Sequence, residues 1–178
     1  MKEKILVLLQ ELKGGNYSTF DDFYRTTYRL FYTIAYGVLK NKELVEEAIQ
    51  ESYVAVYKNL DKIKLDGNVM SYLYTIVKNK SLNILKKQKD ELDIHDEKVE
   101  MVIGDRNLKP FKDENLLNDC RKILSEQEYE VITLSVIKGF KRREIAEMTN
   151  SNINTVTWRY QQALKKLQNN LKEENYEH

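Results

Sequence analysis

The stretch from Ser125 to Leu171 constrains the fold most, because it reads as helices separated by stops whose chemistry is known. Ser125-Glu126-Gln127-Glu128 has capping-box spacing. The Ser hydroxyl takes the N–H three residues on, and the Glu carboxylate reaches back to the Ser N–H. Val131, Ile132, Leu134 and Val136 carry that helix to Gly139, a residue suited to the left-handed position just past a helix end. A short amphipathic piece follows, Arg142 to Met148. The polar run Thr149-Asn150-Ser151-Asn152 then leads into a long helix starting near Ile153. Helix, tight turn, helix is the order in which a second helix enters a DNA major groove.

The phase of that last helix sorts its side chains. Steps of 100° from Val156 place Tyr160, Ala163 and Leu167 on one side, the pattern of a buried stripe. Asn154, Thr157, Trp158, Gln161, Gln162 and Lys165 project mostly the other way. Small polar donors and acceptors are what base edges require: Gln pairs bidentately with adenine, and Thr touches a thymine methyl group. Arg142, Arg143, Arg159, Lys165 and Lys166 are cations placed to hold phosphates. The bland alternative is a solvated basic hairpin that binds nothing. An indole on the outer face, Trp158, argues against it.

Breakers are scarce upstream as well. Six Gly and one Pro in 178 residues, with 42% hydrophobic residues, predict an all-α chain with enough apolar side chains for a core. Ile5 to Leu12 reads as a short helix closed by Gly14-Gly15. Ser18 or Thr19 is expected to cap a long second helix, with Asp21 and Asp22 in its first turn, where carboxylates suit the dipole. A third helix spans roughly Glu43 to Leu60, with Leu44, Ala48, Ile49, Tyr53, Val56, Tyr57 and Leu60 as its apolar set. A fourth starts after Asn68, an N-cap, and carries Val69, Tyr72, Leu73, Ile76, Val77 and Ile84. Four helices with short connections predict a bundle. From Lys86 to Lys112 the periodicity fades. Between 90 and 105 seven carboxylates face Lys98 alone, and Gly104 and Pro110 follow. The expected organisation is a first helical domain over 1–88, an acidic flexible linker over 89–112 and a second helical domain over 113–178.

Charge and rare residues exclude several classes. Residues 1–89 carry 15 basic against 10 acidic side chains, residues 90–137 carry 6 against 13, and residues 138–178 carry 8 against 5. Basic ends around an acidic middle suggest two nucleic-acid contacts with a differently charged partner between them. Cys120 stands alone, and the only histidines are His95 and His178, so no disulfide, metal cluster or Ser-His-Asp set is expected. No catalytic residue, no metal and no cofactor is assigned. The apolar run Ile5 to Leu9 ends at Gln10-Glu11, too short for a signal peptide, and no window reaches the ~18 apolar residues of a membrane span. A cytoplasmic protein without stable membrane insertion is expected.

The first half offers two further faces. Tyr72, Tyr74, Lys78, Asn79, Lys80, Asn83, Lys86 and Lys87 mix aromatic rings and cations on one helix. Rings stack on unpaired bases and cations track a single strand's backbone. A core role for Tyr72, with lysines that only keep the helix soluble, stays open. On the third helix Glu47 and Gln50 share a face with Glu51, and Glu43 and Glu46 widen its acidic edge. Carboxylates repel phosphate, so a basic protein partner suits that face better than DNA. A merely solvated face is the alternative.

These pieces together resemble a bacterial RNA polymerase sigma factor of the extracytoplasmic-function (ECF) class. Phe20-Asp21-Asp22-Phe23-Tyr24 with Tyr28 resembles the start of region two. Glu43 through Tyr53 resembles the segment that docks on the polymerase clamp helices. Val69 through Asn79 resembles the melting and −10 recognition segment. Leu124 through Glu128, Glu144 through Glu147, and Thr155-Val156 resemble region four, which reads the −35 element. The resemblance covers nearly the whole chain except the linker. It implies a four-helix region-two bundle and a helix-turn-helix region-four domain. It implies core RNA polymerase and promoter DNA as partners, with an anti-sigma factor as a third. It assigns polymerase binding to Glu47, Gln50 and Glu51. It assigns the −10 strand to Lys62, Lys64, Asn68, Tyr72, Lys78, Asn79, Lys80 and Asn83. With region four reading the −35 element, the outward and basic residues read above, Arg142, Arg143, Asn154, Thr155, Thr157, Trp158, Arg159, Gln161, Gln162 and Lys165, are the expected contacts there. The acidic linker then acts as a stand-in for nucleic acid in polymerase channels.

Departures from the family pattern bear on promoter sequence rather than on the general role. Tyr72 stands where Trp is usual and Val69 where Phe is usual. Ser151 replaces an aliphatic residue in the turn, and Trp158 and Gln162 replace a small residue and an Arg. Two other readings remain: a toxin-gene-type sigma factor of a neighbouring class, and a stand-alone helix-turn-helix regulator that needs no polymerase.

Overall fold

Helices account for the regular structure throughout the residues described by the computed structural model, 1–65, 68–92 and 114–176. They gather into two compact units, one built from the helices of the first half and one from those of the second. Most of the acidic connector lies outside the described residues.

The first unit contains α1 (Lys2–Lys13), α2 (Phe20–Val38), α3 (Lys42–Lys58) and α4 (Val69–Leu92). The last residues of α4 therefore fall within the span expected to be linker. Every residue of α2 from Leu30 onward is buried, because α1, α3 and α4 all pack on it. Neither Ser18 nor Thr19 caps α2 with its side chain. Thr19 already has helical φ and ψ, at the end of a 3-10 turn over Tyr17–Thr19, whereas an N-cap needs extended backbone. Both hydroxyls turn back instead, Ser18 Oγ donating to Asn16 Oδ1 at 2.6 Å and Thr19 Oγ1 to the Asn16 carbonyl at 2.8 Å.

Helix α3 is capped by Asn41, whose Oδ1 accepts the Leu44 N–H at 3.1 Å. Its buried face runs Val45, Ala48, Ile49, Ser52, Tyr53, Val56. Val45 thus takes the core position expected of Leu44, and Tyr57 is 50% exposed rather than buried. Ser52 is fully buried and its hydroxyl donates to the Ala48 carbonyl at 2.6 Å, so a small polar residue sits in the core without an unpaired group. Tyr53 anchors α3 to α2. Its ring stacks on Phe31 at 4.8 Å and meets Phe23 edge-on at 6.0 Å. Its hydroxyl donates to the Tyr24 carbonyl and lies 2.9 Å from Thr27 Oγ1.

The second unit contains α5 (Glu114–Ile123), α6 (Glu126–Ile132), α7 (Arg142–Met148) and α8 (Ile153–Tyr176). The capping box at Ser125 and Glu128 forms as expected. Helix α6 continues as a π-helical turn over Thr133–Ile137, where the Lys138 N–H reaches the Thr133 carbonyl five residues back. That wider turn leaves Val136 61% exposed. Gly139 ends it at φ +70°, the left-handed stop read from the sequence. Leu117, Tyr129, Ile132, Leu134, Ile145, Met148, Val156 and Ala163 form the core under α8.

Candidate nucleic-acid and partner-binding faces

The turn between α7 and α8 is set by backbone chemistry. Asn150 holds φ +50°, a conformation that few residues other than Gly and Asn adopt readily. The Thr149 N–H donates to Ile145 O and the Ser151 N–H to Ala146 O, both at 2.9 Å, which closes α7. Asn152 Oδ1 then accepts the Asn154 N–H at 2.8 Å and starts α8. Arg143, Ala146, Glu147, Asn150, Ser151 and Ile153 line an open cleft of about 490 Å³ beside this turn.

The helical phase places the α8 residues as the pattern requires. Val156 and Ala163 are fully buried, and Tyr160 and Leu167 are half-buried. Asn154, Gln161 and Lys165 are exposed, and Thr155, Thr157, Arg159 and Gln162 are half-exposed. Trp158 is 58% exposed, an indole held in solvent on the outer face. Arg142 lies over the Tyr160 ring at 5.1 Å, and Arg143 Nε is 3.5 Å from Glu147 Oε1 across a solvated helix turn. An exposed pair of that kind is worth ~0.2–1 kcal/mol, so it leaves Arg143 available to a phosphate.

Lys166 departs from the expectation that it holds phosphate. Its ammonium donates to Glu128 Oε2 at 2.8 Å, and the same oxygen accepts the Ser125 N–H and hydroxyl at 2.9 Å each. Burial alone would push the Glu128 carboxyl up. The bonds from Lys166 and Ser125 outweigh it and hold the carboxyl below its ordinary range. The cation thus fastens α8 to the start of α6.

In the first unit, Glu47, Gln50 and Glu51 are all exposed on α3. Gln50 and Glu51 line an open groove of about 550 Å³ with Val54, Ala55, Lys58, Asn59 and Lys80. Glu51 Oε2 receives Lys80 Nζ at 2.9 Å. Residues expected in two separate faces, one for protein and one for DNA, therefore meet in one groove. Glu46 does not extend the acidic edge, because its carboxylate accepts the Tyr28 hydroxyl from α2. Burial, followed by that carboxylate, pushes the Tyr28 hydroxyl far above its ordinary range.

Asn79 and Asn83 are exposed on α4, and Tyr72 is half-buried, with its hydroxyl pushed up by burial. Tyr74 departs from the expected stacking set. It is 4% exposed, and Lys78 Nζ donates to its hydroxyl at 2.8 Å. Lys62 and Lys64 are exposed on the segment before α4, and Asn68 Oδ1 caps α4 by accepting the Ser71 N–H at 3.1 Å. Four contributors lie outside the sequence reading. Val54, Lys58 and Asn59 complete the groove beside Gln50, and their exposure at helical spacing was the available signal. Lys13 donates to the Ile63 carbonyl at 2.8 Å, a contact across fifty residues that no local pattern marks.

Comparison with known proteins matches both units. The family described as Sigma-70 region 2 matches residues 23–91, and that described as Sigma-70, region 4 matches residues 116–167. RNA polymerase sigma factor SigV of Bacillus subtilis is 29% identical over 138 residues, which cover 76% of this chain and 80% of SigV. ECF RNA polymerase sigma factor SigK of Mycobacterium tuberculosis is 23% identical over 174 residues, covering 91% of this chain and 90% of SigK. Among solved structures, the sigma factor RpoE in complex with the anti-sigma factor NepR from Bartonella quintana superposes with a TM-score of 0.66. Its sequence identity is 20%, with coverage of 86% of this chain and 96% of the other.

Proposed function

Because the chain belongs to the sigma-70 family, and within it to the ECF class, we infer that it is an alternative sigma factor that binds core RNA polymerase and directs transcription initiation at specific promoters. The observation that carries this reading is the pairing, in order along one chain, of a region-two bundle with a region-four unit whose α8 presents Trp158, Gln161 and Gln162 outward. The protein acts by binding. Its contribution is to position polymerase and to stabilise separated strands, with no catalytic residue of its own. Its place of work is the cytoplasm. Among the described residues no helix is long and apolar enough to cross a membrane.

The roles follow from the faces. Helix α8 enters the major groove at the −35 element, where Asn154, Thr155, Thr157, Trp158, Gln161 and Gln162 meet base edges. Arg142, Arg143, Arg159 and Lys165 hold phosphates. Helix α3 docks on polymerase through Glu47, Gln50 and Glu51. The segment from Lys62 to Asn68, with Tyr72, Lys78, Asn79, Lys80 and Asn83, holds the −10 strand. Extruding a base there costs a few kcal/mol, which strand contacts must offset. An anti-sigma factor is the third partner inferred, one that covers these faces until a signal releases them.

Run-off transcription with core polymerase, with and without the chain, tests the reading. Promoter-specific transcripts are expected only when the chain is present. Duplex binding without polymerase, together with no stable holoenzyme, favours the stand-alone regulator and overturns the sigma assignment.

A further inference from the structure

We propose that Lys13 is a positioning residue for capture of the promoter strand, a role that rests on the sigma reading above. It is the last residue of α1, a helix that lies wholly before residue 23, where the region-two match begins. Its ammonium donates to the main-chain oxygen of Ile63 at 2.8 Å, and the bond is partly buried. Ile63 follows the 3-10 turn Leu60–Lys62 and has extended backbone, φ −69° and ψ 119°. Ile63 is 2% exposed and Leu60 is 8% exposed, so both anchor the chain in the core at this point. The Leu60–Lys62 turn packs on α1.

The segment is therefore fixed twice at its base. Apolar side chains fix its depth, and Lys13 fixes the direction of one carbonyl. An ammonium bond to a carbonyl is charge-assisted and short, so it defines where the chain leaves the core. From that point the backbone carries Lys62 and Lys64 into solvent on either side of Ile63. The Lys13 charge also adds to the positive potential that these two lysines present to a phosphate backbone. Without the bond the Ile63 carbonyl loses the contact that fixes its direction, and the exposed residues beside it lose their register against the strand.

Holoenzymes assembled from core polymerase and the full chain test the proposal. Wild type, Lys13→Met, Lys13→Gln and Lys13→Arg transcribe a pool of promoters randomised in both elements, and the transcripts are sequenced. Lys13→Met, which removes the donor, and Lys13→Gln, which is too short to reach, are expected to flatten base preference within the −10 element by about three- to tenfold. Preference within the −35 element stays unchanged, and Lys13→Arg retains most of the −10 preference. A purely structural role lowers transcription from all promoters alike and leaves the preferences intact. Wild-type −10 preference in both Lys13→Met and Lys13→Gln, an equal loss at both elements, or a Lys13→Arg protein as altered as Lys13→Met overturns the proposal. Absence of any promoter-specific transcript with the wild-type chain is a different result, which refutes the sigma reading itself.

Discussion

Replacing Glu128 with Ala should loosen the second unit far more than its distance from α8 in sequence suggests. The Glu128 side chain is 8% exposed, and one of its oxygens receives the Ser125 N–H, the Ser125 hydroxyl and the Lys166 ammonium. A hydrogen bond to a buried charged group contributes ~1.5–3 kcal/mol net. The Lys166 pair contributes less, ~0.2–1 kcal/mol, because nearly half of that lysine side chain is in water. Together they give a loss of about 2–4 kcal/mol for Glu128→Ala. With a urea m-value of about 1 kcal/mol per M for so small a unit, the midpoint falls by roughly 2–4 M. Far-ultraviolet circular dichroism during urea unfolding reads the shift, since the regular structure of the described residues is helical. Lys166→Ala should cost ~0.2–1 kcal/mol, and the double-mutant cycle should return a coupling of that size. Acid adds an independent check. The folded carboxyl is held below its ordinary value of 4.5, so its contribution is present above that pH and is lost as pH falls through the folded value. Glu128→Gln should abolish that part of the acid sensitivity. A midpoint shift under about 0.5 M in Glu128→Ala would refute the reasoning, and so would equal acid sensitivity of Glu128→Gln and wild type.

Asn150→Ala should destabilise the second unit by about 1 kcal/mol while Asn150→Gly leaves it level or firmer, since φ +50° strains any side chain lacking a local amide; the same urea titration reads it. Trp158→Ala should relax base preference at one −35 position by ~1–3 kcal/mol, whereas Arg143→Ala should weaken all promoters alike, as measured by competition binding of holoenzyme to promoter variants. Tyr28 holds its proton more tightly when folded, first through burial and then through Glu46. The stability it contributes is complete below the ordinary tyrosine value of 10 and is lost as pH rises through the folded value. Tyr28→Phe should therefore blunt alkaline unfolding of the first unit, followed by far-ultraviolet circular dichroism. An unchanged alkaline profile counts against the Tyr28–Glu46 contact.

Much of the fold and of the α8 face is legible in the sequence, for physical reasons. The stripe of Val156 and Ala163 fixes the phase of α8, so its outward residues follow from geometry alone. Ser125 with Glu128, and Gly139 at its left-handed φ, are local signals that need no tertiary partner. The misreadings share a cause. Lys165 and Lys166 look alike as neighbouring cations, but only Lys166 meets a carboxylate from α6. Glu46 and Glu47 look alike on α3, but only Glu46 reaches Tyr28. Tyr74 looked free to stack, but its helix turns that face inward. Which of two equivalent side chains finds a partner depends on a neighbouring helix, and spacing within one helix carries no record of it. The π-helical turn after Ile132 is hidden for a different reason: Val136 fits the apolar pattern of a regular helix, and only the wider turn swings it into solvent.

The separation of buried residues into two cores has a genetic consequence. Each half of the chain buries a core of its own, so on the proposed roles a lesion confined to α5–α8 spares the half that docks on polymerase. On those roles the product would still occupy polymerase yet could not complete the promoter contact. In a cell carrying both alleles it would compete with the intact copy, so such missense lesions are expected to be dominant where a deletion is recessive.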